Sequence, residues 1–435
     1  MSYSQVDVIE VSAWGQTVGA VALDPGTEYY AFEYADEWVA KGQQLSPIYM
    51  PNQSGTFVFP HLATGTYHRL PAMLGDALPD HFGNALVDAW MADNGVPVER
   101  ITPLDRLAYA ADRGMGALTF RPPADQLHTD TTAIQLADLV TAARSMVSGD
   151  IASSPNLHEA IRQLIQVGTS AGGARAKAVI AYNPTTDQIR AGQLDAPEGF
   201  EHWLIKLDGV DVDLGLDYDP FTNSQGYGQV EYAYYLMAQE AGVEMSQCKI
   251  LREGPRVHFL SRRFDRTAGG RRIHMQSLCA IAHLDFKLLS THSYNQYLDV
   301  VIQLELGPDA LEQAFRRMVF NVVAVNRDDH TKNLAFLLPE EGDWKLSPAF
   351  DITHAHNPSG EWTKRHQMSI NGKFDKIGMD DLEVVGDHYQ VRNYRKIIGE
   401  VHSAVSKWKS FAGDAGVTDK TTARISTDLA NHKLL

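Results

Sequence analysis

From Leu311 the apolar residues Leu311, Ala314, Phe315, Met318, Val319, Val322 and Val323 recur at the spacing of one helix face, and the helix they predict runs straight into the polar stretch NRDDHTKN. The chain then reads LAFLL and WKL across PEEGD, the pattern of a hairpin, and arrives at SPAFD. Asp309 stands at the start of the helix, where its charge suits the dipole. Helix, polar loop and hairpin in this order bring the chain back on itself, so Asp328, Asn333 and Asp351 are placed around one hairpin.

Two carboxylates and an amide in that arrangement suit phosphoryl transfer, which needs cradled phosphates, a metal held by oxygen ligands and a carboxylate near the attacking hydroxyl. Arg327-Asp328 followed by Asn333 has the spacing R-D-x-x-x-x-N of the protein-kinase catalytic loop, with Asn326 in place of its histidine. Asp328 is then the base and Asn333 a metal ligand. Phe350-Asp351 is similar in chemistry and position to the kinase D-F-G, although the residue order differs and no glycine follows, which makes Asp351 the second Mg²⁺ ligand.

Upstream, VGTSAGGARAKAVIAY joins a small-residue loop to an apolar strand, and Asn183-Pro184 opens a turn to a second strand. Gly168, Gly172 and Gly173 permit positive φ and close approach, so the amides of Ala171 to Lys177 could surround phosphate oxygens, although the loop matches neither G-x-G-x-x-G nor a Walker A pattern and taken by itself reads as a flexible surface hairpin. WLIKL is a short strand carrying Lys206, a charge in an otherwise buried pattern that calls for an anion. A helix over Glu231 to Glu240 and the strands QCKIL and RVHFL follow. Glu231 reads as a solvent-facing helix residue, with orientation of Lys206 as its functional alternative. The basic stretch RRFDRTAGGRR reads as a solvated connection. His354 and His356 lack a third placed ligand and read as ordinary loop residues.

At the amino terminus, Val6, Val8, Ile9 and Val11, then Val18, Ala20 and Val21, are punctuated by Gly15 and Pro25-Gly26 into a small sheet. A helical pattern starts at Tyr67 and carries Leu74, Leu78, Phe82, Leu86, Val87 and Trp90 to the stop Asp93-Asn94-Gly95. With 435 residues, several packed units are expected. We place them at 1–125, an amino-terminal subdomain; 126–265, a region like the kinase N-lobe with the nucleotide loop and ATP lysine; and 266–435, a mainly helical C-lobe. A net charge of −16 disfavours direct contact with nucleic acid or anionic membrane. Neither a signal peptide nor a membrane-spanning run is evident, so a cytoplasmic location is expected. Cys248 and Cys279 lack metal or redox spacing and read as reduced, structural residues.

These segments together, LGDALPDHFG, TSAGGARAK, HWLIKL, VEYAYYLMAQEAGV, RRFDR, NRDDHTKN, SPAFDI and MSINGK, make nearly the whole chain similar to the HipA family of bacterial toxin kinases. The resemblance implies an α+β, two-lobed, protein-kinase-like fold behind a small amino-terminal α/β subdomain. It implies ATP and Mg²⁺ as cofactors. The loop Gly172, Gly173, Ala174, Arg175, Ala176 and Lys177 resembles the family's ATP loop, and Lys206 its ATP lysine. Arg262, Arg263 and Phe264 resemble the adenine hinge; the family's best-known member carries glutamate at the place of Arg262, so the likeness there concerns backbone contacts. His330, Thr331, Lys332 and Asn333 resemble the nucleotide segment beside the catalytic Asp328, and Phe350-Asp351 resembles the last one. Ser170 matches the loop serine that family members phosphorylate in themselves, with Thr169 as its neighbour. Roughly two added negative charges there would repel ATP.

The resemblance further implies a serine/threonine protein kinase that is the toxin of a toxin–antitoxin pair. Its partners would be a HipB-like helix-turn-helix antitoxin, which carries the complex to DNA, and a protein substrate of the aminoacyl-tRNA synthetase class. Growth arrest and persistence would be the outcome. The competing readings are a small-molecule kinase and a catalytically silent pseudokinase that serves as antitoxin or DNA-complex partner.

Overall fold

The computed structural model of the protein describes residues 5–79, 81–123, 143, 175–192, 196–211 and 226–432. The chain divides into two compact units. The first comprises 1–213, 262–285 and 337–342, and the second 214–261, 286–336 and 343–435.

The first unit opens with antiparallel strands β1 (Val8–Ala13), β2 (Gln16–Asp24) and β3 (Tyr29–Tyr34), as the alternating pattern predicts. Ile9 and Val11 of β1, Val21 of β2 and Phe32 of β3 are fully buried, each on the inner face set by the period of two. Helix α1 (Asp36–Lys41) follows, and β4 (Thr56–Phe57) pairs with β3. The helix expected from Tyr67 is broken into α2 (Thr64–Tyr67), α3 (Ala72–Gly75) and α4 (His81–Asp93). His68 and Arg69 take positive φ and Pro71 stands immediately before α3, so apolar spacing alone could not carry one helix through. The predicted stop holds, with Gly95 at φ 80°. A capping box between Thr102 and Asp105, with Pro103 in the first turn, starts α5 (Pro103–Ala110). Strand β5 (Leu118–Arg121) closes the sheet against β1.

Later in this unit β6 (Arg175–Tyr182) pairs antiparallel with β7 (Ile189–Ala191) and β8 (Glu201–Asp211). The Asn183 turn forms as expected, its side-chain oxygen accepting from the amides of Thr185 and Thr186. Residues 262–285 are stitched to the amino-terminal part by buried polar contacts. Ser277 N–H and Oγ–H donate to Asp76, Tyr67 Oη donates to Cys279 O, and Thr66 donates to Asp285.

The basic stretch within 262–285 is not a solvated connection. Arg263 is 4% exposed and Asp265 0%. Asp265 accepts a bidentate pair from Arg263, a further bond from Arg266 and the Gly116 amide. Burial raises the Asp265 pKa, but the two guanidinium charges outweigh it and hold the carboxyl well below the usual carboxylate range. A residue pattern cannot show that three of its charges pair with one another inside.

The second unit begins with α6 (Tyr227–Glu240), then the hairpin β9 (Cys248–Glu253) and β10 (Arg256–Arg262), with Gly254 at φ 55° in its turn. Helix α6 approaches β10 so closely that a Cβ on Gly228 would lie 2.3 Å from Val257 O. Glu231 is 2% exposed, which overturns its solvent-facing reading. Strand β11 (His292–Ser293) pairs in parallel with β12 (Met368–Ser369). A Ser293–Gln296 capping box starts α7 (Tyr294–Gln303), and α8 (Gly307–Val323) follows with Asp309 in its first turn. Phe315, Met318 and Val319 of α8 are fully buried, each contributing about 1.5–3 kcal/mol. Helices α9 (Met379–His388), α10 (Tyr394–Ser406), α11 (Trp408–Ala415) and α12 (Asp419–Asn431) complete the unit. Both cysteines are free and buried.

Candidate active site

Helix α8 ends where Tyr234 of α6 donates to Ala324 O at 2.7 Å. Val325 then takes φ 55°, an unfavourable conformation for a β-branched residue that turns the chain sharply into the polar loop. The corner is held by a relay of side chains. Asn326 Nδ2 donates to Asn321 Oδ1 at 2.9 Å, Asn321 Nδ2 donates to Tyr294 Oη at 2.9 Å, and Tyr294 Oη donates to Asp329 Oδ2 at 2.9 Å.

Asp329, 2% exposed, also accepts from the Gln367 amide at 2.8 Å, and His366 Nδ1 lies 2.8 Å from its other side. Arg327, 3% exposed, donates to Lys364 O and to Asp375. The two neighbours of Asp328 are thus anchored inside the protein, while the side chain of Asp328 between them is 39% exposed. A carboxylate that keeps water contact on a rigid loop is what an acceptor hydroxyl requires.

Asn333 ends a short 3₁₀ turn, Thr331–Asn333, and donates its Nδ2 to Asp328 O at 2.8 Å. That bond commits the amide nitrogen, so any metal ligand atom of Asn333 would be its carbonyl oxygen. The hairpin strands Ala335–Leu338 and Lys345–Leu346 form as read, and Ser347 N–H donates to Ala335 O. Asp351 lies beyond them at φ 53°. Its segment is pinned on both sides: Ala349 bridges to Met245 and donates to Glu244 O, and Ala355 pairs with Asn326, accepting from Arg327 N–H. Asp328, Asn333 and Asp351 therefore sit on two segments joined by a backbone bridge. An amide oxygen and a carboxylate are the hard oxygen donors that suit Mg²⁺, which takes few protein ligands and completes its shell with phosphate and water.

Three rings surround the Asp328 carboxylate. Trp362 Nε1 donates to Oδ1 at 2.6 Å, His330 Nε2 stands 3.6 Å from the same oxygen, and Phe286 packs on both rings with centroids at 5.3 and 6.4 Å. Lys332 lies over the Phe286 ring at 5.3 Å. Trp362 and Phe286 stand far in sequence from Asp328 and carry no motif, so sequence pattern does not point to either. His354 and His356 are more than loop residues, since both face Asp428 of α12, at 3.1 and 3.6 Å. Burial raises the Asp428 pKa, but the two facing histidines outweigh it and hold the carboxyl below its ordinary range.

In the first unit, Lys177 and Lys206 are direct partners in the β6–β8 register, with Lys177 only 3% exposed. Two ammonium groups on one face of a sheet repel, and each of these lysines makes further contacts within the fold. Arg263 donates its N–H to His202 O at 2.9 Å and its guanidinium to Asp265, so this side chain is an anchor. Arg262 pairs with Glu201 at 3.2 Å. Phe264 and Phe350 each make further contacts within the fold. Thr169, Ser170, Gly172, Gly173 and Ala174 lie outside the described residues, and Arg175 and Ala176 open β6. Among the described residues no helix is long and apolar enough to cross a membrane.

Comparison with known proteins gives the family and the fold. The HipA-like C-terminal domain matches residues 169–408 and the HipA N-terminal domain matches 9–121. The solved structure of HipA from Shewanella oneidensis MR-1, in a toxin–antitoxin complex with HipB and operator DNA, is similar with a TM-score of 0.63. The likeness covers 98% of this chain and 95% of that one at 14% identity. The Helicobacter pylori proinflammatory kinase CtkA is more distant, with a TM-score of 0.29 at 11% identity over 52% of this chain and 92% of that one. Y4dM, a proposed kinase of Sinorhizobium fredii, is 23% identical over 197 residues, and the match spans 41% of this chain and 44% of that protein.

Proposed function

Because the chain belongs to the HipA family, we propose that it is an ATP- and Mg²⁺-dependent serine/threonine protein kinase and the toxin of a toxin–antitoxin pair. The observation that carries this reading is Asp328, exposed between two buried anchors, with Asn333 tied to its backbone oxygen. Asp328 orients an acceptor hydroxyl and takes its proton as the new oxygen–phosphorus bond forms and the bond from the γ-phosphorus to the leaving ADP oxygen breaks. Asn333 and Asp351 would hold Mg²⁺, which when bound offsets the charge of the ATP phosphates. Lys177 and Lys206 would share those phosphates as their common anion. The backbone of Arg262 to Phe264 would meet adenine, and His330 to Lys332 would border the nucleotide. Phe350, beside Asp351, would complete that border.

The partner we propose is a HipB-like antitoxin that takes the complex to operator DNA; the Shewanella HipA was solved together with HipB and operator DNA. A net charge of −16 supports leaving DNA contact to a basic partner. An aminoacyl-tRNA synthetase is the proposed substrate, the cytoplasm the proposed location, and Ser170 the proposed site of autophosphorylation.

Incubation of purified protein and cell lysate with Mg-[γ-³²P]ATP tests the reading. Labelling of a discrete protein by the wild type, lost in Asp328→Gln, is expected; equal labelling by both would refute the catalytic assignment. Intact mass of wild type and Ser170→Ala after Mg-ATP tests the modification, with a shift expected in the wild type alone.

A further inference from the structure

We infer that Trp362 is a positioning residue for phosphoryl transfer: its indole N–H holds Asp328 Oδ1, fixing the carboxylate so that Oδ2 faces the acceptor hydroxyl. The inference rests on the reading of Asp328 as the catalytic base and adds a residue outside every motif discussed above.

The geometry is specific. The Trp362 Nε1 to Asp328 Oδ1 distance of 2.6 Å is that of a strong charge-assisted bond. The indole is held by its own surroundings, with T-shaped contacts to His330 and Phe286. The backbone beneath it is held as well, because Gln367 donates its side-chain amide to Trp362 O.

The segment carrying Trp362 is fastened by the two residues that flank Asp328. Arg327 donates to Lys364 O, and Asp329 takes the Gln367 amide and faces His366. The catalytic loop thereby fixes residues 364–367 from both sides, and that segment returns Trp362 to the carboxylate in the middle. His330 Nε2, at 3.6 Å from the same oxygen, is beyond hydrogen-bond range and does not substitute for the indole. A freely rotating carboxylate would meet the hydroxyl in many orientations, and a misplacement of about 1 Å can cost on the order of 10²-fold in rate.

ADP release from Mg-ATP with dephosphorylated casein as acceptor, measured for wild type, Asp328→Asn, Trp362→Phe and Trp362→3-benzothienylalanine, tests this. The last variant keeps the shape of the indole and replaces its N–H by sulfur, so it separates donation from packing even if phenylalanine disturbs the fold. The expected result is a fall in kcat of about 10- to 100-fold for both Trp362 variants. KM for ATP and the melting temperature should stay at wild-type values. A benzothienyl variant with kcat within about twofold of wild type would overturn the inference while leaving Asp328 as the base. A loss of rate matched by a rise in KM for ATP or a lowered melting temperature would also overturn it, reducing Trp362 to packing. Wild type no faster than Asp328→Asn would instead remove the parent reading and the inference with it.

Discussion

Lys177 and Lys206 face one another as direct neighbours across two antiparallel strands, one of them almost wholly buried. Opposed like charges weaken a strand pair, and a bound polyphosphate reverses the sign of that interaction. Replacing Lys206 by Met is therefore expected to weaken Mg-ATP binding by about 10- to 100-fold, read by titration of a fluorescent ATP analogue. Unchanged affinity would dissociate Lys206 from the phosphates.

Asp328 and Asp329 are adjacent yet have opposite work. Asp328→Asn should leave the unfolding free energy within about 0.5 kcal/mol of wild type, because its side chain is partly exposed, while kinase activity falls at least about 100-fold. Asp329→Ala should cost about 3–5 kcal/mol, because Tyr294 and the Gln367 amide lose a buried acceptor and His366 a buried partner. Urea unfolding of the two variants beside their activities checks the contrast.

Asp265→Ala removes the shared acceptor of Arg263, Arg266 and the Gly116 amide, leaving guanidinium charge buried without its partner. The expected destabilisation is about 3–5 kcal/mol, far beyond that of an exposed pair such as Lys364–Glu361. Because the folded pKa of Asp265 is depressed, its contribution is complete above about pH 4, the unfolded value, and is lost as pH falls further. Acid unfolding of wild type and variant should therefore converge below pH 4.

His202 and His274 are buried, and burial lowers the pKa of each to about 4. A buried neutral histidine resists the proton that the unfolded chain accepts below about pH 6.5. The unfolded state then binds more protons, so stability falls as pH drops from 6.5 to about 4, on the order of 1.4 kcal/mol per pH unit for each histidine. Denaturant midpoints at pH 7, 6 and 5 should fall in that order; a flat profile would contradict the assigned protonation states.

Periodicity and punctuation made several parts legible in advance. Alternation and Gly15 gave β1 and β2, the Asn183 turn gave β6 and β7, and apolar spacing gave α8 with its exit into the polar loop that carries Asp328. The order of Asp328, Asn333 and Asp351 could be read because chain direction and hairpin length are local properties. The break after Tyr67 was misjudged because positive φ at His68 and Arg69 leaves no mark in apolar spacing.

What the sequence determined by itself was the succession of elements and the types of oxygen-bearing groups they carry, since propensity, turn chemistry and spacing act over a few residues. Only the tertiary structure decided which charges are neutralised inside, as at Asp265, and which distant side chain reaches the reactive carboxylate, as Trp362 reaches Asp328 from 34 positions away. Burial and hydrogen-bond partnership depend on contacts between remote segments, and those exist only once the chain has folded.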